Sequence, residues 1–219
     1  MVESIAEVND WLSRFYGGVA VGSMDIPKCG GLSLYLIEET YKSLDLNSAV
    51  VSKFMDDPPY WIFCWASGVV LAQQIMAGQL QVKGKVVVDF GAGSGVVGVA
   101  AALSGAKRVY CCEIDPLARQ MVGFNARLNG VSVSVVSSMV DVDQKVDQIL
   151  VADVLYDRTN IPLLDEIKTY ASEVILADSR IKDLVVPGFE LYSEVSSCSY
   201  PDFAESQEFN AVRLYQFKK

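Results

Sequence analysis

The segment Asp89-Phe90-Gly91-Ala92-Gly93-Ser94-Gly95 constrains this chain more than any other. It follows the apolar run Val86-Val87-Val88 and opens the small-residue run Val96 to Leu103. A short, wholly apolar run reads as a strand covered on both faces, as in a parallel sheet. The small-residue run reads as a helix. Glycines between them let the backbone turn sharply and approach a ligand, and the start of the helix favours a negative group there. A chain built this way is committed to a strand–loop–helix unit whose loop faces a small molecule.

The pattern repeats downstream. Arg108 to Glu113 reads as a second strand, and Pro116 sits at the favoured first position of a helix ending near Asn129-Gly130. Strands follow over Val131 to Val136, Val146 to Ala152 and Glu173 to Ala177, with a helix over Ile161 to Tyr170. Two strand-like runs, Glu190 to Val195 and Ala211 to Phe217, close the chain. Upstream, Val69 to Met76 suggests a helix and Leu32 to Ile37 a strand. Ile5, Val8, Trp11, Leu12 and Phe15 recur at helical spacing. Alternating strands and helices predict an α/β fold: a mainly parallel, seven-stranded sheet with helices on both faces and a C-terminal antiparallel hairpin. Residues 1–55 read as an extension (a helix plus a short strand) packed on a core domain of residues 56–219.

The choice of nucleotide is less obvious. Gly93-Ser94-Gly95-Val96-Val97-Gly98 is a literal GxGxxG, and Glu113 follows about 20 residues on, as in dinucleotide-binding folds. Beside a pyrophosphate, however, the Asp89 carboxylate would be repelled. Beside S-adenosylmethionine (SAM) it can accept from the amino group of the methionine moiety. The methionine carboxylate is then the negative group at the helix start, and Glu113 accepts from both ribose hydroxyls. SAM is the expected cofactor.

Composition removes other chemistries. The 219 residues contain no histidine, so serine–histidine and cysteine–histidine catalysis and histidine-bearing zinc sites are excluded, and no metal is expected. The five cysteines form no CxxC pair and suit free thiols in a reducing compartment. Cys111 and Cys112 adjoin on a strand and should face opposite sides. Glu3 and Glu7 stand where a secretory signal would carry basic residues, and no run reads as a membrane span, so a cytoplasmic protein, or an organellar one after processing, is expected. A net charge of −9 weighs against nucleic-acid binding and would steer a basic partner, such as a lysine-bearing protein segment.

Asp57-Pro58-Pro59-Tyr60 has the form of the base-flipping motif of amino-group DNA methyltransferases. That motif ends the fourth strand, whereas here the segment precedes Asp89, and the stretch between is too short for the strands a permuted enzyme would need. The corresponding position is Asp153-Val154-Leu155-Tyr156-Asp157, so Asp57 to Tyr60 is not a base-flipping loop.

With these segments placed, the chain resembles the electron-transfer flavoprotein β-subunit lysine methyltransferases and their bacterial nicotinamide N-methyltransferase-like relatives. The resemblance runs from about Leu32 to the C-terminus. It is carried by Pro59-Tyr60-Trp61-Ile62-Phe63-Cys64-Trp65-Ala66-Ser67-Gly68, the glycine loop, Glu113-Ile114-Asp115-Pro116, Asn125-Ala126-Arg127-Leu128-Asn129-Gly130 and Ala152 to Asp157. It implies a class I SAM-dependent methyltransferase. Trp65, Asp89, Gly91, Gly93, Gly95, Glu113, Ile114 and Asp153 would line the cofactor pocket, and Asp153 and Tyr156 would form the catalytic mouth where an acceptor amine enters. It also implies a protein partner carrying a target lysine, for which a flavoprotein subunit is a candidate. Two departures stand out: Ser67 where the family usually has glycine, and Ala177-Asp178-Ser179-Arg180 in place of Gly-Asp-Pro-Gly-Arg. No acidic residue follows the third strand, which leaves Ser138 or Met139 for the adenine. A small-molecule N-methyltransferase, a non-catalytic SAM-binding protein and an NAD-dependent oxidoreductase are the competing readings.

Overall fold

The computed structural model describes residues 2–39, 52–54, 56–202 and 206–219. Its centre is a sheet of seven strands: β3 (Val86–Phe90), β4 (Arg108–Cys112), β5 (Ser134–Val136), β6 (Val146–Ala152), β7 (Ala171–Asp178), β8 (Glu190–Ser196) and β9 (Ala211–Lys218). The spatial order is β5-β4-β3-β6-β7-β9-β8. All pairings from β5 to β7 are parallel, and β9 runs antiparallel to both β7 and β8. This is the expected mainly parallel seven-stranded sheet with its terminal antiparallel hairpin.

Pleating sends alternate residues to opposite faces. Val87, Cys111, Leu150 and Ile175 pack under α2 (Ala66–Met76), α3 (Val96–Leu103) and α4 (Pro116–Leu128). Val88, Cys112, Ile149 and Leu176 face the other layer, with Leu164 and Ile167 of the short helix α5 (Leu163–Ile167) and with Ile181 and Val186 from a loop. The two adjacent cysteines therefore do point apart. Helices cover both faces unequally, because β5 and β6 are joined by a single 3-10 turn and α5 is short. The expected helix over 161–170 stops early: Thr169 and Tyr170 donate to the carbonyls three residues back, Glu166 and Ile167, which tightens the chain out of the α conformation. The third strand also starts late, since Val131 N–H is spent on Ala126 O at the end of α4.

The N-terminal part contains α1 (Ile5–Phe15), capped by Ser4, and an antiparallel hairpin of β1 (Val21–Asp25) and β2 (Ser33–Ile37). The expected single strand thus has a partner. Val-Gly-Ser-Met-Asp carries too little alternation for β1 to be read alone. The hairpin is fixed to α4 by two asparagines one helical turn apart. Asn125 accepts from Tyr35 N–H at 2.8 Å and Asn129 from Ser33 N–H at 3.0 Å, so their amides satisfy the outer edge of β2 as a strand would. Asn125 also donates to Ser94 O at 2.8 Å, tying the hairpin to the glycine loop. Met55, at the expected division between extension and core, lies outside the described residues.

Candidate active site

β3 lies between β4 and β6, so the loops leaving its C-terminal end and that of β6 diverge. A crevice opens at such a switch point. Here it is a cleft of about 870 Å³ lined by the glycine loop, the β4–α4 loop, Ser137 to Met139, the segment after β6, and Tyr60, Trp61 and Trp65.

The glycine loop crosses toward β4: Gly91 and Ala92 both donate to Cys112 O. Gly91 has φ +71°, and a Cβ there would lie 2.6 Å from the Val154 side chain, so only glycine lets the loop pass beneath the segment after β6. Gly93, at φ +52°, borders the cleft and has space where a side chain would stand. Gly95 does not line the cleft. It caps α3 at φ +78° and leaves room for Val122 of α4.

Glu113 ends β4 with its carboxylate held on both sides, accepting from Gly93 N–H at 2.8 Å and from Asp115 N–H at 2.9 Å. Each oxygen has further lone pairs, so the group can still accept from a diol. The Arg119 guanidinium donates to the carbonyls of Glu113 and Ile114 and fixes this corner, while Asp115 caps α4 through Leu117 and Ala118 N–H. Ile114 is 82% exposed and offers an apolar surface on the cleft wall. Ser138 and Met139, the expected adenine neighbours, both line the cleft.

Asp89 departs from expectation. It is 2% exposed, does not line the cleft, and accepts from Gly98 N–H in the first turn of α3 at 2.8 Å. Gly95 has no side chain to cap this helix, so the carboxylate does so from the preceding strand. Burial, partly offset by that bond and reinforced by Glu113, raises its pKa from 3.8 to about 7. In this structure the carboxylate expected to meet a methionine amino group is turned to the helix instead of the cleft. One N-terminal amide of the helix, that of Gly98, already holds a carboxylate and is not open to a pyrophosphate.

Asp153 lines the cleft and sits in the left-handed region at φ +51°. Its side chain is committed elsewhere. Oδ2 accepts from Ser67 N–H at 2.8 Å, and Oδ1 accepts from Ser67 Oγ at 2.6 Å, Ser179 Oγ at 2.7 Å and Ser179 N–H at 3.1 Å. The two departures from the family pattern thus meet on one carboxylate. With four donors on it, that carboxylate is a structural knot between α2, β6 and the end of β7.

Tyr156 is 56% exposed and lines the cleft, its phenol pKa raised mainly by burial of part of the ring. Trp65 caps α2 in extended conformation, lines the cleft and donates through Nε1 to Tyr60 O at 2.9 Å. Trp61 is buried between the cleft and Trp11 of α1, at 6.5 Å between ring centroids. Asp178 and Arg180 do not form a surface pair. Asp178 is buried, with its pKa raised to about 6 chiefly by burial, and accepts from the backbone N–H of Arg180 and Ile181. The Arg180 guanidinium lies 5.2 Å from the Trp65 ring and 4.5 Å from Phe209 on the cleft wall. Sequence reasoning missed Arg180 and Tyr60 as cleft residues. Tyr60 belongs to the segment set aside as a base-flipping loop, and only its place in the Pro-Tyr-Trp block signalled it.

The comparisons agree with this architecture. The family model for ribosomal protein L11 methyltransferase (PrmA) matches residues 71–175. The electron transfer flavoprotein beta subunit lysine methyltransferase of Mus musculus is 30% identical over 128 residues, which is 55% of this chain and 50% of that protein. The ribosomal protein L11 methyltransferase of Acinetobacter baumannii (strain SDF) is 56% identical over 54 residues, 25% of this chain and 18% of that one. The chain thus spans about half the length of the flavoprotein-subunit methyltransferases it matches, and less of the ribosomal ones. Among solved structures, the ribosomal protein L11 methylase of Lactobacillus delbrueckii subsp. bulgaricus aligns with TM-score 0.51 at 22% identity, covering 69% of this chain and 80% of that one. TrmK of M. capricolum, in complex with S-adenosyl-homocysteine, aligns with TM-score 0.50 at 13% identity, covering 68% and 67%. These structures share the fold.

Proposed function

We infer that this chain, with the class I methyltransferase fold as premise, is a SAM-dependent methyltransferase, and we propose that it methylates the side-chain amine of a protein lysine. One observation carries the reading: the Glu113 carboxylate, clamped by loop amides with lone pairs to spare, shares a cleft with the aromatic residues around Asp153. The residues fit the cofactor. Gly91 and Gly93 would give it room, Glu113 would accept from the ribose hydroxyls, Ile114 would meet the adenine face, and Ser138 and Met139 would border its edge. Bound SAM supplies a methyl group already activated by its sulfonium, so the protein's task is binding and alignment.

The acceptor amine must be neutral to attack. Transfer from water into the apolar mouth disfavours its charged form and promotes loss of the proton. Because the Asp153 carboxylate is held by Ser67 and Ser179, orientation of the amine is assigned to the Asp153 main-chain carbonyl. Holding the amine in line contributes on the order of 7–11 kcal/mol to the rate. The lysine assignment draws on the flavoprotein-subunit methyltransferases similar to this chain and on the net charge of −9, which suits a basic protein segment over nucleic acid. The same reading sets the enzyme in the cytoplasm, with residues 1–55 as an extension packed on a catalytic domain of residues 56–219.

Incubation with methyl-labelled SAM and a lysate of the source organism tests this, with proteins and small metabolites read separately. Label on a protein band, mapped to lysine, is expected. Label confined to metabolites would replace the lysine reading with a small-molecule N-methyltransferase. SAM binding with no transfer would make the chain a non-catalytic SAM-binding protein.

A further inference from the structure

Tyr60 reaches the acceptor end of the cleft from outside the segments that carry the cofactor. Its ring centroid is 4.9 Å from that of Tyr156 at 44°, and 5.8 Å from that of Trp65 at 64°. Tyr60 is thus the middle ring of three set at steep angles to one another. Two independent elements hold it: the 3-10 turn Tyr60–Ile62 and the bond from Trp65 Nε1 to its carbonyl. Tyr60 and Tyr156 remain 42% and 56% exposed although they touch, so their outer faces form an open corner lining the cleft. The Trp65 ring carries the Arg180 guanidinium, while the Tyr60–Tyr156 corner offers a well-exposed aromatic surface to a ligand.

Charges around that corner matter. Asp157 follows Tyr156 and caps Thr159, and Asp153 is bound to the two serines. Glu113 and Glu166 line the same cleft, so carboxylates face it together with the rings. Arg158 and Arg180 also line the cleft. The ring faces attract an alkylammonium through the aromatic quadrupole without requiring an N–H donor, which a carboxylate contact alone does not provide for.

We propose that Tyr60 and Tyr156 together form a subsite for an alkylammonium group, with Tyr60 a specificity-determining residue for the acceptor and its methylated product. This deepens the methyltransferase reading and rests on it.

The test uses the full chain saturated with S-adenosylhomocysteine and calorimetric titration of two probes. One is choline. The other is its neutral isostere, in which a tert-butyl group replaces the trimethylammonium. Choline is expected to bind about three- to tenfold more tightly, the range a partly exposed cation–π contact gives. Tyr60→Leu and Tyr156→Leu, which keep apolar bulk, should each reduce that preference by half or more, while Tyr60→Phe retains it. Affinity for S-adenosylhomocysteine should stay within twofold in all variants, which also reports that they fold. Equal binding of the two probes, binding of neither, or a preference undiminished in Tyr60→Leu would overturn the subsite. Failure of the wild-type chain to bind S-adenosylhomocysteine would instead overturn the methyltransferase reading.

Discussion

The Ser67 hydroxyl donates to Asp153 Oδ1 across 2.6 Å, joining the first turn of α2 to the end of β6 inside the protein. Ser179, just after β7, donates to the same oxygen from its hydroxyl at 2.7 Å and its amide at 3.1 Å. Three elements therefore depend on one carboxylate. Asp153→Ala should remove the acceptor of two buried N–H groups and two hydroxyls, at roughly 2–5 kcal/mol of stability. Ser67→Ala deletes one hydroxyl and keeps the Ser67 N–H bond, so it should cost about 1 kcal/mol. Urea unfolding of the two variants measures the difference. Asp153→Ala as stable as wild type would show that the knot contributes nothing.

Gly91 and Gly130 separate backbone strain from cleft geometry. Both have positive φ, at +71° and +65°, but a Cβ would meet Val154 at 2.6 Å only in the first; at Gly130 nothing lies within 4 Å. Gly130→Ala should lower stability by about 1–2 kcal/mol and leave SAM affinity unchanged. Gly91→Ala should carry that cost and also push Val154 away, weakening SAM binding tenfold or more by calorimetry. Equal SAM affinities in the two variants would contradict the role given to the loop.

Asp89 gives a pH dependence of definite sign. Its folded pKa of about 7 lies above the ordinary value of 3.8, so between them the native state binds more protons than the unfolded chain. Its contribution to stability is full below the ordinary value and is lost as pH rises toward and through 7, by on the order of 4 kcal/mol at most. Asp89→Asn removes the titration and should flatten this part of the curve of stability against pH. Asp178, raised to about 6, gives a smaller slope of the same sign. A wild-type curve rising over this window, or one unchanged in Asp89→Asn, would refute the assignment.

The sheet was readable in the sequence because each central strand is a short apolar run bounded by glycine or an acidic residue. Val146 to Ala152 matches β6 to the residue. Strand β1 was not readable, since its pairing depends on β2 and, through β2, on Asn125 and Asn129 far along the chain. The cleft residues Glu113, Ile114, Gly91, Gly93, Trp65, Asp153 and Tyr156 could all be found from motif position. What spacing could not reveal was direction. Asp89 looked like a ligand residue because it precedes the loop, yet pleating turns it toward Gly98. Asp153 occupied the right position, but its partners come from two distant segments, so its carboxylate is occupied for reasons no local pattern contains. Tyr60 joins the cleft for the same reason, by a fold-dependent contact with Tyr156.

The central claim is that Glu113 and the glycine loop hold SAM, and calorimetry with SAM and NAD against wild type and Glu113→Ala tests it most directly. One SAM per chain should bind to the wild type and NAD should not. Glu113→Ala should weaken SAM by about 10–100-fold, the loss of charge-assisted bonds to the ribose. Binding of NAD in place of SAM, or SAM affinity indifferent to Glu113, would contradict the account.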